Sequence, residues 1–355
     1  MGDWKELLKA DPTIWLLEKE NPSVRYFTLL DLLGKPEDDP EVRQAKRAVM
    51  QIGIVPEILQ KQKDPAYLET CGQFYTAKYK GLVWQLIVLA EMGADANAQI
   101  REQCEYLLGH SQETGDGGFA MHTAAKTGGG RITEVIPCLT GNMVWSLIRF
   151  GYLDDPRLQK SIDWITKYMR FNDGTEDDPQ TPPYDRMEPC WGRHTCHMGV
   201  VKALKAFSAI PEERRTQAVQ TTIDLAIEFM LIHHIYKRSH QPDRVSKPGW
   251  LKFGFPLMYQ TDALEILDIL SALGVRDARM SEALDLVVSK QDDMGRWKAE
   301  NTYGSDRLLV PIGRKDKQSK WLTLRAMRIL KRNYGRDPEV SSQKQASPTR
   351  TRISI

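Results

Sequence analysis

The sequence predicts an all-α protein, an (α/α)6 toroid of six helical hairpins with an inner and an outer layer of helices. The first observation is a repeat of six apolar helical segments. They close at positions 34, 93, 152, 210, 274 and 335, which are 59, 59, 58, 64 and 61 residues apart. The second is that each segment pairs with a more polar, amphipathic helix, as an outer layer requires. The third is a set of long loops that lead into the apolar segments.

The six apolar segments are predicted to form the inner layer, because they carry apolar residues on most of their faces. They span residues 24–34, 79–93, 140–152, 196–210, 260–274 and 321–335. The outer helices are predicted at residues 41–52, 98–108, 156–169, 214–233 and 279–289. We expect residues 4–17 to supply the twelfth helix and close the ring, with an open solenoid as the alternative.

The repeat is unbroken, so residues 1–335 are predicted to form one domain. Residues 1–65 are atypical, since they also resemble the hairpins of HEAT repeats. If all six units stacked in that way, the protein would be an open scaffold with a concave binding face. Residues 336–355 are polar and short of apolar side chains, and we predict a disordered tail there.

The composition excludes several classes of protein. The chain has 49 basic and 47 acidic residues and a net charge of +2, which argues against a dedicated nucleic-acid-binding surface. No apolar signal core opens the sequence, and the most apolar run, residues 81–93, is too short to span a bilayer. We expect a cytoplasmic protein without a membrane span. Its five cysteines are expected to be reduced, buried or metal-binding.

Four long loops carry much of the glycine, proline, histidine and aspartate of the chain. They cover residues 110–139, 171–194, 236–257 and 291–319. Because each loop precedes an inner helix, all four are predicted to gather at one end of the ring, which we call the mouth. Long ordered loops in a compact domain tend to be functional, so the mouth is where we expect the site.

Two of these loops begin with the same turn. The segments Gln112-Glu-Thr-Gly-Asp-Gly-Gly-Phe119 and Gln291-Asp-Asp-Met-Gly-Arg-Trp297 each combine a glutamine, an acidic residue, a glycine and an aromatic residue. Together with the period and the helix pairing, these turns resemble the repeat of the terpenoid cyclase and protein prenyltransferase β-subunit superfamily. The resemblance covers about residues 20–335 and implies a toroid with a small or isoprenoid-like substrate in its central cavity.

Two functional motifs of that superfamily are incomplete in this chain. Class II cyclases protonate their substrate with a D-x-D-D motif, and the nearest segment, beginning at Asp173, lacks its spacing. Protein prenyltransferases hold zinc through a D-x-C motif and a histidine, whereas this chain has Glu188-Pro-Cys190 and places Gln260 where the histidine is expected. The aromatic content, 8%, also argues against squalene-type cyclisation. The resemblance therefore indicates the architecture rather than the reaction.

The densest group of potential metal ligands comprises Cys190, His194, Cys196 and His197. Thiolate and imidazole suit zinc, so one hypothesis is a zinc site with Cys190, Cys196 and either His197 or His194 as ligands. Such a metal would activate water or a substrate heteroatom. Cys138 and Cys196 both lie fourteen residues before the end of their repeat and are expected to meet at the mouth. The alternative is that the thiols only pack and no cofactor is bound.

We therefore predict an enzyme, of transferase or lyase/cyclase-like type. The candidate catalytic residues are Cys138, His194 and Asp262. The candidate substrate-binding residues are Arg131, Trp191, Arg193, Lys237, Arg238 and Tyr259. One alternative is a metal-free lyase or (de)hydratase that uses acid–base chemistry of Cys, His and Asp. The other is a non-enzymatic helical-repeat protein that binds a partner or acts as a scaffold.

Overall fold

The computed structural model describes residues 4–70, 74–177, 179–192, 196–304 and 307–335, and helices dominate them. In chain order the α-helices are α1 (Thr13–Leu16), α2 (Pro22–Phe27), α3 (Pro40–Val49), α4 (Ile54–Lys61), α5 (Pro65–Thr70), α6 (Leu82–Glu91), α7 (Ala98–His110), α8 (Pro137–Arg149), α9 (Pro156–Tyr168), α10 (Glu188–Trp191), α11 (His197–Ser208), α12 (Gln217–Ile232), α13 (Ala263–Ala272), α14 (Ser281–Ser289) and α15 (Lys320–Tyr334). A π-helical turn, Thr28–Leu32, extends α2, and Trp4–Leu7 forms a 3-10 turn. Two short strands, β1 (Lys237–Arg238) and β2 (Gln241–Val245), pair antiparallel. The predicted tail, residues 336–355, lies outside the described residues.

The inner helices form a closed ring, as predicted. Around the ring, α6 contacts α8, α8 contacts α11, α11 contacts α13, and α13 contacts α15. The ring closes because α15 also contacts α2 and the π-helical turn that follows it, and Phe27 of α2 lies against Gly93, just after α6. Each of the first five inner helices pairs with the outer helix that follows it: α3, α7, α9, α12 and α14. The fold is therefore the (α/α)6 toroid, and no helix in the described ranges is long and apolar enough to cross a membrane.

The twelfth position of the ring is filled by the N-terminal segment. It forms two short helical turns, Trp4–Leu7 and α1, rather than the single helix that was predicted, and both contact α15. Lys320 of α15 holds this segment through an ion pair of 2.6 Å with Glu18. Phe27 of α2 packs against the ring of Trp321, with ring centroids 6.2 Å apart. The two ends of the chain are thus joined by both charge and apolar packing.

The two predicted glutamine turns have equivalent contacts. Gln112 donates from Nε2 to the carbonyl of Arg157 at 2.6 Å, at the start of the next outer helix. Gln291 donates to the carbonyl of Leu7 at 2.9 Å, in the N-terminal segment that takes the place of the next outer helix. Each turn thereby fixes one hairpin to the following one, which explains why the motif recurs with the repeat.

The aromatic residues of the same turns, Phe119 and Trp297, are both fully buried. Their backbone N–H groups donate to the hydroxyls of Thr140 and Thr323, at 2.9 and 3.0 Å. These threonines lie near the start of α8 and α15. Each aromatic therefore locks its loop onto the inner helix that follows.

The helices α8 and α11 approach most closely, because both carry a glycine in their interface. A Cβ atom added to Gly141 would lie 2.5 Å from the backbone of Lys202, and one added to Gly199 would lie 2.9 Å from the ring of Pro137. Any larger residue at these two positions would force the helices apart. The close approach sets the N-terminal ends of α8 and α11 side by side at the mouth.

The inner helices are not apolar throughout, because they carry a pair of fully buried opposite charges. Lys202 of α11 places Nζ 2.8 and 2.6 Å from the two carboxylate oxygens of Glu265 in α13, and both side chains are buried. Burial opposes the charge on Glu265, but the nearby Lys202, Lys205 and Arg325 hold the pKa of its carboxyl at about 2. The carboxylate is therefore ionised at every physiological pH.

Further ion pairs extend this contact around the ring. Lys205 hydrogen-bonds Glu91 of α6 and lies 3.4 Å from Glu265. Arg325 of α15 lies 3.4 Å from Glu91 and 3.4 Å from Asp268 of α13. Four of the six inner helices are thus tied together by what we call the charged belt, defined as Glu91, Lys202, Lys205, Glu265, Asp268 and Arg325.

Substitution of Glu265 by Gln is expected to destabilise the protein strongly, because it leaves the ammonium of Lys202 buried without its carboxylate partner. Breaking one side of a buried ion pair costs about 3–5 kcal/mol. We expect the free energy of unfolding in urea to fall by about that amount. The matched control is Glu213→Gln on an exposed turn, where a change below about 0.5 kcal/mol is expected. Equal effects of the two substitutions would contradict the role given to the belt.

Candidate active site at the mouth of the ring

The N-terminal ends of the inner helices meet the long loops at the mouth. Cys138 is the second residue of α8, Cys196 occupies the N-cap position of α11, and Asp262 caps α13. Cys138 and Cys196 therefore lie near corresponding positions of neighbouring helices, as the repeat predicted. The segment that precedes α6 brings Tyr75 and Tyr79 to the same end.

Aromatic side chains gather at the mouth in a group that we call the tyrosine cluster, defined as Tyr75, Tyr79, Tyr259 and Tyr303 with Trp84. The rings of Tyr79 and Tyr303 are closest, with centroids 4.0 Å apart. Trp84 lies at the centre of the other contacts, with centroids 5.1 Å from Tyr75, 5.7 Å from Tyr79 and 5.8 Å from Tyr259. The four tyrosines come from three separate loops, and the buried ring of Trp84 in α6 joins them.

Side chains of α6 hold the first of these loops in place. The indole N–H of Trp84 donates to the carbonyl of Tyr75 at 2.9 Å, and Gln85 donates to the carbonyl of Tyr79 at 2.7 Å. Gln85 is buried, so its amide is committed to this contact. The hydroxyl of Tyr303 donates to the carbonyl of Leu257 at 2.9 Å and so anchors the third loop.

The hydroxyls of the cluster lie close together. The hydroxyl of Tyr79 lies near that of Tyr259, and burial followed by this neighbouring hydroxyl raises the pKa of Tyr79 to about 12. Burial also raises the pKa of Tyr75 and that of Tyr303. Tyr75, Tyr79 and Tyr303 consequently stay protonated at neutral pH, and the proton of Tyr303 is donated to the carbonyl of Leu257.

Backbone strain is also concentrated at the mouth. Lys78, Tyr79 and Met258 have φ values of +23°, +54° and +55°, and Met187, just before α10, has a φ of +52°. Non-glycine residues avoid this region, and each such residue costs about 1–3 kcal/mol unless its surroundings enforce it. Strain of this kind clusters at functional sites because it fixes side chains where packing alone would not place them. Here the strained residues include Tyr79 itself and Met258, the residue directly before Tyr259.

A cleft of about 550 Å³ opens beside the cluster. Its walls combine aromatic, amide, hydroxyl and guanidinium groups from Tyr79, Gln260, Asn301, Thr302, Tyr303, Gly304 and Arg307. The ammonium of Lys78 lies 5.6 Å above the ring of Tyr75 and 5.4 Å above that of Tyr259, which adds a second positive charge nearby. The cleft thus offers aromatic surface with basic groups at its edge.

The predicted cysteines lie next to this cluster. Burial raises the pKa of Cys138, and the neighbouring Cys196 and Cys190 raise it further. Burial also raises the pKa of Cys190 to about 12. Cys138 is among the groups that raise the pKa of Tyr75, which places the thiols beside the tyrosines. Cys138 and Cys190 are therefore protonated at neutral pH, and a protonated thiol is a weak nucleophile.

The geometry of His197 separates it from these thiols. Its ring packs edge-on against His233 at 4.2 Å, Phe229 at 5.0 Å and Trp250 at 5.2 Å between centroids. Among the described residues, no three Cys, His, Asp or Glu side chains converge as a metal site requires. His194 and Arg193 lie outside the described residues. The described side chains therefore do not form a zinc site, and no chemical step is assigned to a metal.

Asp262 is held as a helix cap. Its carboxylate accepts hydrogen bonds from the backbone N–H of Glu265 at 2.8 Å and of Gly254 at 2.9 Å, and only 1% of the residue is exposed. Burial raises the pKa of Asp262 to about 7, against the lowering effect of those hydrogen bonds and of Arg325. Both carboxylate oxygens are engaged, so Asp262 positions the loop before α13.

Among the described residues, the predicted substrate-binding side chains do not line the cleft, and Tyr259 belongs to the tyrosine cluster beside it. Arg131 forms an ion pair of 2.7 Å with Glu134 on its own loop. Trp191 is buried between aromatic rings of α9 and the loop before α10. Lys237 pairs with Glu282 of the outer helix α14 at 2.7 Å, and Arg238 lies beside it in β1. These contacts hold loops and outer helices together.

Sequence reasoning missed Tyr75, Tyr79 and Tyr303. Their positions in the sequence did indicate a place at the mouth, because each tyrosine lies in a segment that leads into an inner helix, and these segments gather at the mouth. Tyr79 was included in an inner segment, whereas the structure starts that helix at Leu82. Because the helix starts three residues later than predicted, Tyr79 lies in the loop at the mouth rather than among the packed residues of the helix.

The contacts between its own helices define the chain as an (α/α)6 toroid. No family model and no curated protein matches it. Among solved structures, a glycosyl hydrolase of family 88 from Bacteroides vulgatus aligns with 93% of this chain and 99% of its own, at 11% identity and a TM-score of 0.49. The type II terpene cyclase MstE from Scytonema aligns with 88% of this chain and 87% of its own, at 13% identity and a TM-score of 0.40. A protein from Actinoplanes aligns with 88% and 89%, at 12% identity and a TM-score of 0.41.

Substitution of Asp262 by Asn is expected to change how stability depends on pH. The unfolded carboxyl titrates near 3.8 and the folded one near 7, so the folded state binds more protons between these values. The contribution of Asp262 to the free energy of unfolding is therefore fully present below about pH 4 and is lost as the pH rises towards 7. Asp262→Asn should remove that decline, as measured by urea denaturation at pH 5 and at pH 7.5. Asp262→Ala should also remove the decline but destabilise the protein at both pH values, because it loses the cap. An unchanged pH dependence in Asp262→Asn would contradict this assignment.

A zinc ion bound by Cys190 and Cys196 stays a prediction, because His194 lies outside the described residues. Elemental analysis of protein purified without a metal-binding tag tests it. The zinc hypothesis expects about one equivalent, lost in Cys190→Ser and kept in Cys104→Ser, a buried thiol of the outer helix α7. Less than about 0.1 equivalent in the unsubstituted protein would contradict the hypothesis.

Proposed function

We propose that the chain is an enzyme that binds a small, isoprenoid-like substrate at the mouth, with the apolar part of the substrate against the tyrosine cluster. The observation that carries this proposal is the cluster itself, in which tyrosines from three loops gather around the buried ring of Trp84, and Tyr79 and Tyr303 line the cleft. Aromatic faces pack well on apolar chains and attract positive charge. The adjoining cleft, about 550 Å³, falls within the range of small-molecule sites.

An anionic end of the substrate has two basic partners in this arrangement. Arg307 lines the cleft, and Lys78 lies over the rings of Tyr75 and Tyr259. A guanidinium group binds phosphate or carboxylate oxygens through paired N–H donors, and an ammonium adds a point charge. The cleft therefore suits a molecule with an apolar body and a diphosphate or carboxylate end.

The chemistry that the cluster supports is stabilisation of a departing oxygen. Tyr79 stays protonated at neutral pH, so its hydroxyl can donate a hydrogen bond to negative charge that develops on a leaving oxygen. A cation left on the apolar part would face the aromatic rings. A hydroxyl donor at the leaving oxygen and aromatic rings around the cation together fit a reaction of lyase or transferase type.

The contacts of Cys138 and Asp262 argue against the metal-free acid–base alternative in the form predicted from the sequence. Cys138 is buried and protonated, and Asp262 uses both carboxylate oxygens as a helix cap. Neither side chain is placed to take a proton from a substrate. We therefore assign proton donation to the tyrosine hydroxyls, with Tyr79 as the first candidate.

The proposed substrate orientation predicts that substitutions at the basic edge and at the aromatic side of the cleft change binding affinity differently. Isothermal titration calorimetry with geranylgeranyl diphosphate and with the uncharged geranylgeraniol distinguishes the two effects. Arg307→Gln should weaken binding of the diphosphate at least about tenfold and leave binding of the alcohol unchanged, because it removes a charge-assisted contact. Tyr303→Leu should weaken both probes. The matched control is Lys80→Gln, an exposed lysine that does not line the cleft. Failure of both probes to bind would contradict the proposed substrate class.

Turnover separates the enzyme from a protein that only binds. Incubation with geranylgeranyl diphosphate, followed by liquid chromatography and mass spectrometry, should show conversion. Tyr79→Phe keeps the ring and removes the hydroxyl, so conversion should fall at least about tenfold while the dissociation constant changes less than about twofold. Binding without any conversion would favour the non-enzymatic alternative.

A further inference from the structure

A second cavity lies at the end of the ring opposite to the mouth. It has a volume of about 390 Å³, and the last residues of α6, α8, α11 and α13 all line it. We call it the rear cavity. Its volume falls within the range of small-molecule sites, and no residue of the tyrosine cluster lines it.

The charged side chains that line the rear cavity balance, with five carboxylates against five cations. Four of each sign form ion pairs within the wall. The carboxylates of this set are Asp31, Glu91, Glu265 and Asp268, and the cations are Lys205, Arg325, Arg328 and Arg332. Because these charges already have partners, neither a simple anion nor a simple cation finds an unmatched charge among them.

One carboxylate and one cation of the lining remain outside these pairs, Glu37 and Arg149. Both side chains are exposed, so a molecule that enters the cavity can reach them. Neither forms a hydrogen bond or an ion pair with another side chain in the described ranges. Burial raises the pKa of Tyr26, Glu37 raises it further, and Arg149 lowers it, so both charges lie around the same phenol. The lining thus presents one reachable charge of each sign near one aromatic ring.

An aromatic surface lies beside these two charges. Trp145 precedes Arg149 by four residues in α8, so the two side chains share one face of the helix. Lys205 covers part of Trp145, with Nζ 4.0 Å from the ring centroid. The rings of Tyr26 and Phe27 lie 5.0 Å apart between centroids. Tyr26, Phe27 and Trp145 are each only partly buried, so an apolar group inside the cavity can contact them.

A ligand that matches these features carries one positive and one negative charge close together, with an apolar group beside them. The C-terminal ends of the inner helices carry partial negative charge, which favours an ammonium group near Glu37. The guanidinium group of Arg149 can bind carboxylate oxygens through paired N–H donors. A simple anion would leave Glu37 unmatched, and a simple cation would leave Arg149 unmatched.

We propose that the rear cavity binds a free α-amino acid with an apolar side chain. The carboxylate of the amino acid lies on Arg149, its ammonium group lies on Glu37, and its side chain lies against Trp145 and Tyr26. The site does not depend on the function proposed for the mouth, because the cleft and the rear cavity share no lining residue. The two charges that hold the ligand also lie outside the charged belt, so substitutions there leave the ion pairs of the ring intact.

The test uses 19F NMR with 4-fluorophenylalanine as the probe. Its N-acetyl derivative lacks the ammonium group and its amide lacks the carboxylate, so each counterpart keeps the ring and loses one charge. The amino acid should bind at least about tenfold more tightly than either counterpart, because each of its charges makes a charge-assisted hydrogen bond. Equal affinity of the three compounds, or no binding of the amino acid, would overturn the proposal.

Two exposed substitutions assign the two charges of the ligand. Glu37→Gln should abolish the preference for the amino acid over the N-acetyl derivative, and Arg149→Gln should abolish its preference over the amide. Both positions are exposed and make no ion pair with a described side chain, so both variants are expected to fold as the unsubstituted protein does. The matched control, Glu213→Gln on an exposed turn, should leave all three affinities unchanged.

Arg307→Gln locates the probe, since Arg307 lines the cleft at the mouth. The proposal expects this variant to bind 4-fluorophenylalanine as the unsubstituted protein does. Loss of binding in Arg307→Gln, with retention in both Glu37→Gln and Arg149→Gln, would place the probe at the mouth and overturn the proposal.

Discussion

The ion pair between Lys202 and Glu265 is the contact on which the rest of the ring depends. Two charges of opposite sign lie in the middle of a wall of apolar helices, with side-chain exposures of 0% and 3%. Each charge would be very costly to bury alone, so neither helix α11 nor helix α13 can move without the other. Lys205 and Arg325 extend the constraint to α6 and α15. The belt therefore fixes the geometry of the ring more specifically than apolar packing alone.

The two ends of the ring carry different kinds of side chains. At the mouth, the loops bring protonated tyrosines, buried thiols and strained backbone together around a cleft. At the rear, the helix ends bring charges and tryptophans around a chamber. Most residues of the belt line the rear cavity, whereas the residues of the tyrosine cluster do not.

Much of the architecture was predictable, because the repeat is visible in the sequence. The period and the inner and outer layers follow from spacing and hydrophobic pattern, whereas the contacts that Gln112 and Gln291 make with the following hairpin are seen only in the structure. The charged belt also had a signal, since Lys202 and Lys205, Glu265 and Asp268, and Arg325 and Arg328 each lie three residues apart on consecutive inner helices. Three residues is nearly one helical turn, so each pair shares a helix face.

The site was less predictable, because residue type does not reveal which way a side chain points. The sequence places His197 next to Cys196, yet its ring packs against His233 and Trp250. Asp262 precedes an apolar helix with Glu265 three residues later, a pattern typical of a helix cap, and the structure uses it as one. The tyrosine cluster joins residues more than 200 positions apart, and only the closed ring brings them together.

Closure of the ring is the central claim, and zero-length carbodiimide coupling tests it most directly. This reagent joins an amine to a carboxylate only where the two are in contact. The account predicts coupled peptides containing Lys320 with Glu18 and Lys9 with Asp293 in the monomeric protein, where these pairs lie 2.6 and 3.6 Å apart. In an open solenoid of six hairpins, with helices about 10 Å apart, the same groups would be separated by roughly 50 Å. Absence of both products from the monomer would contradict the closed toroid.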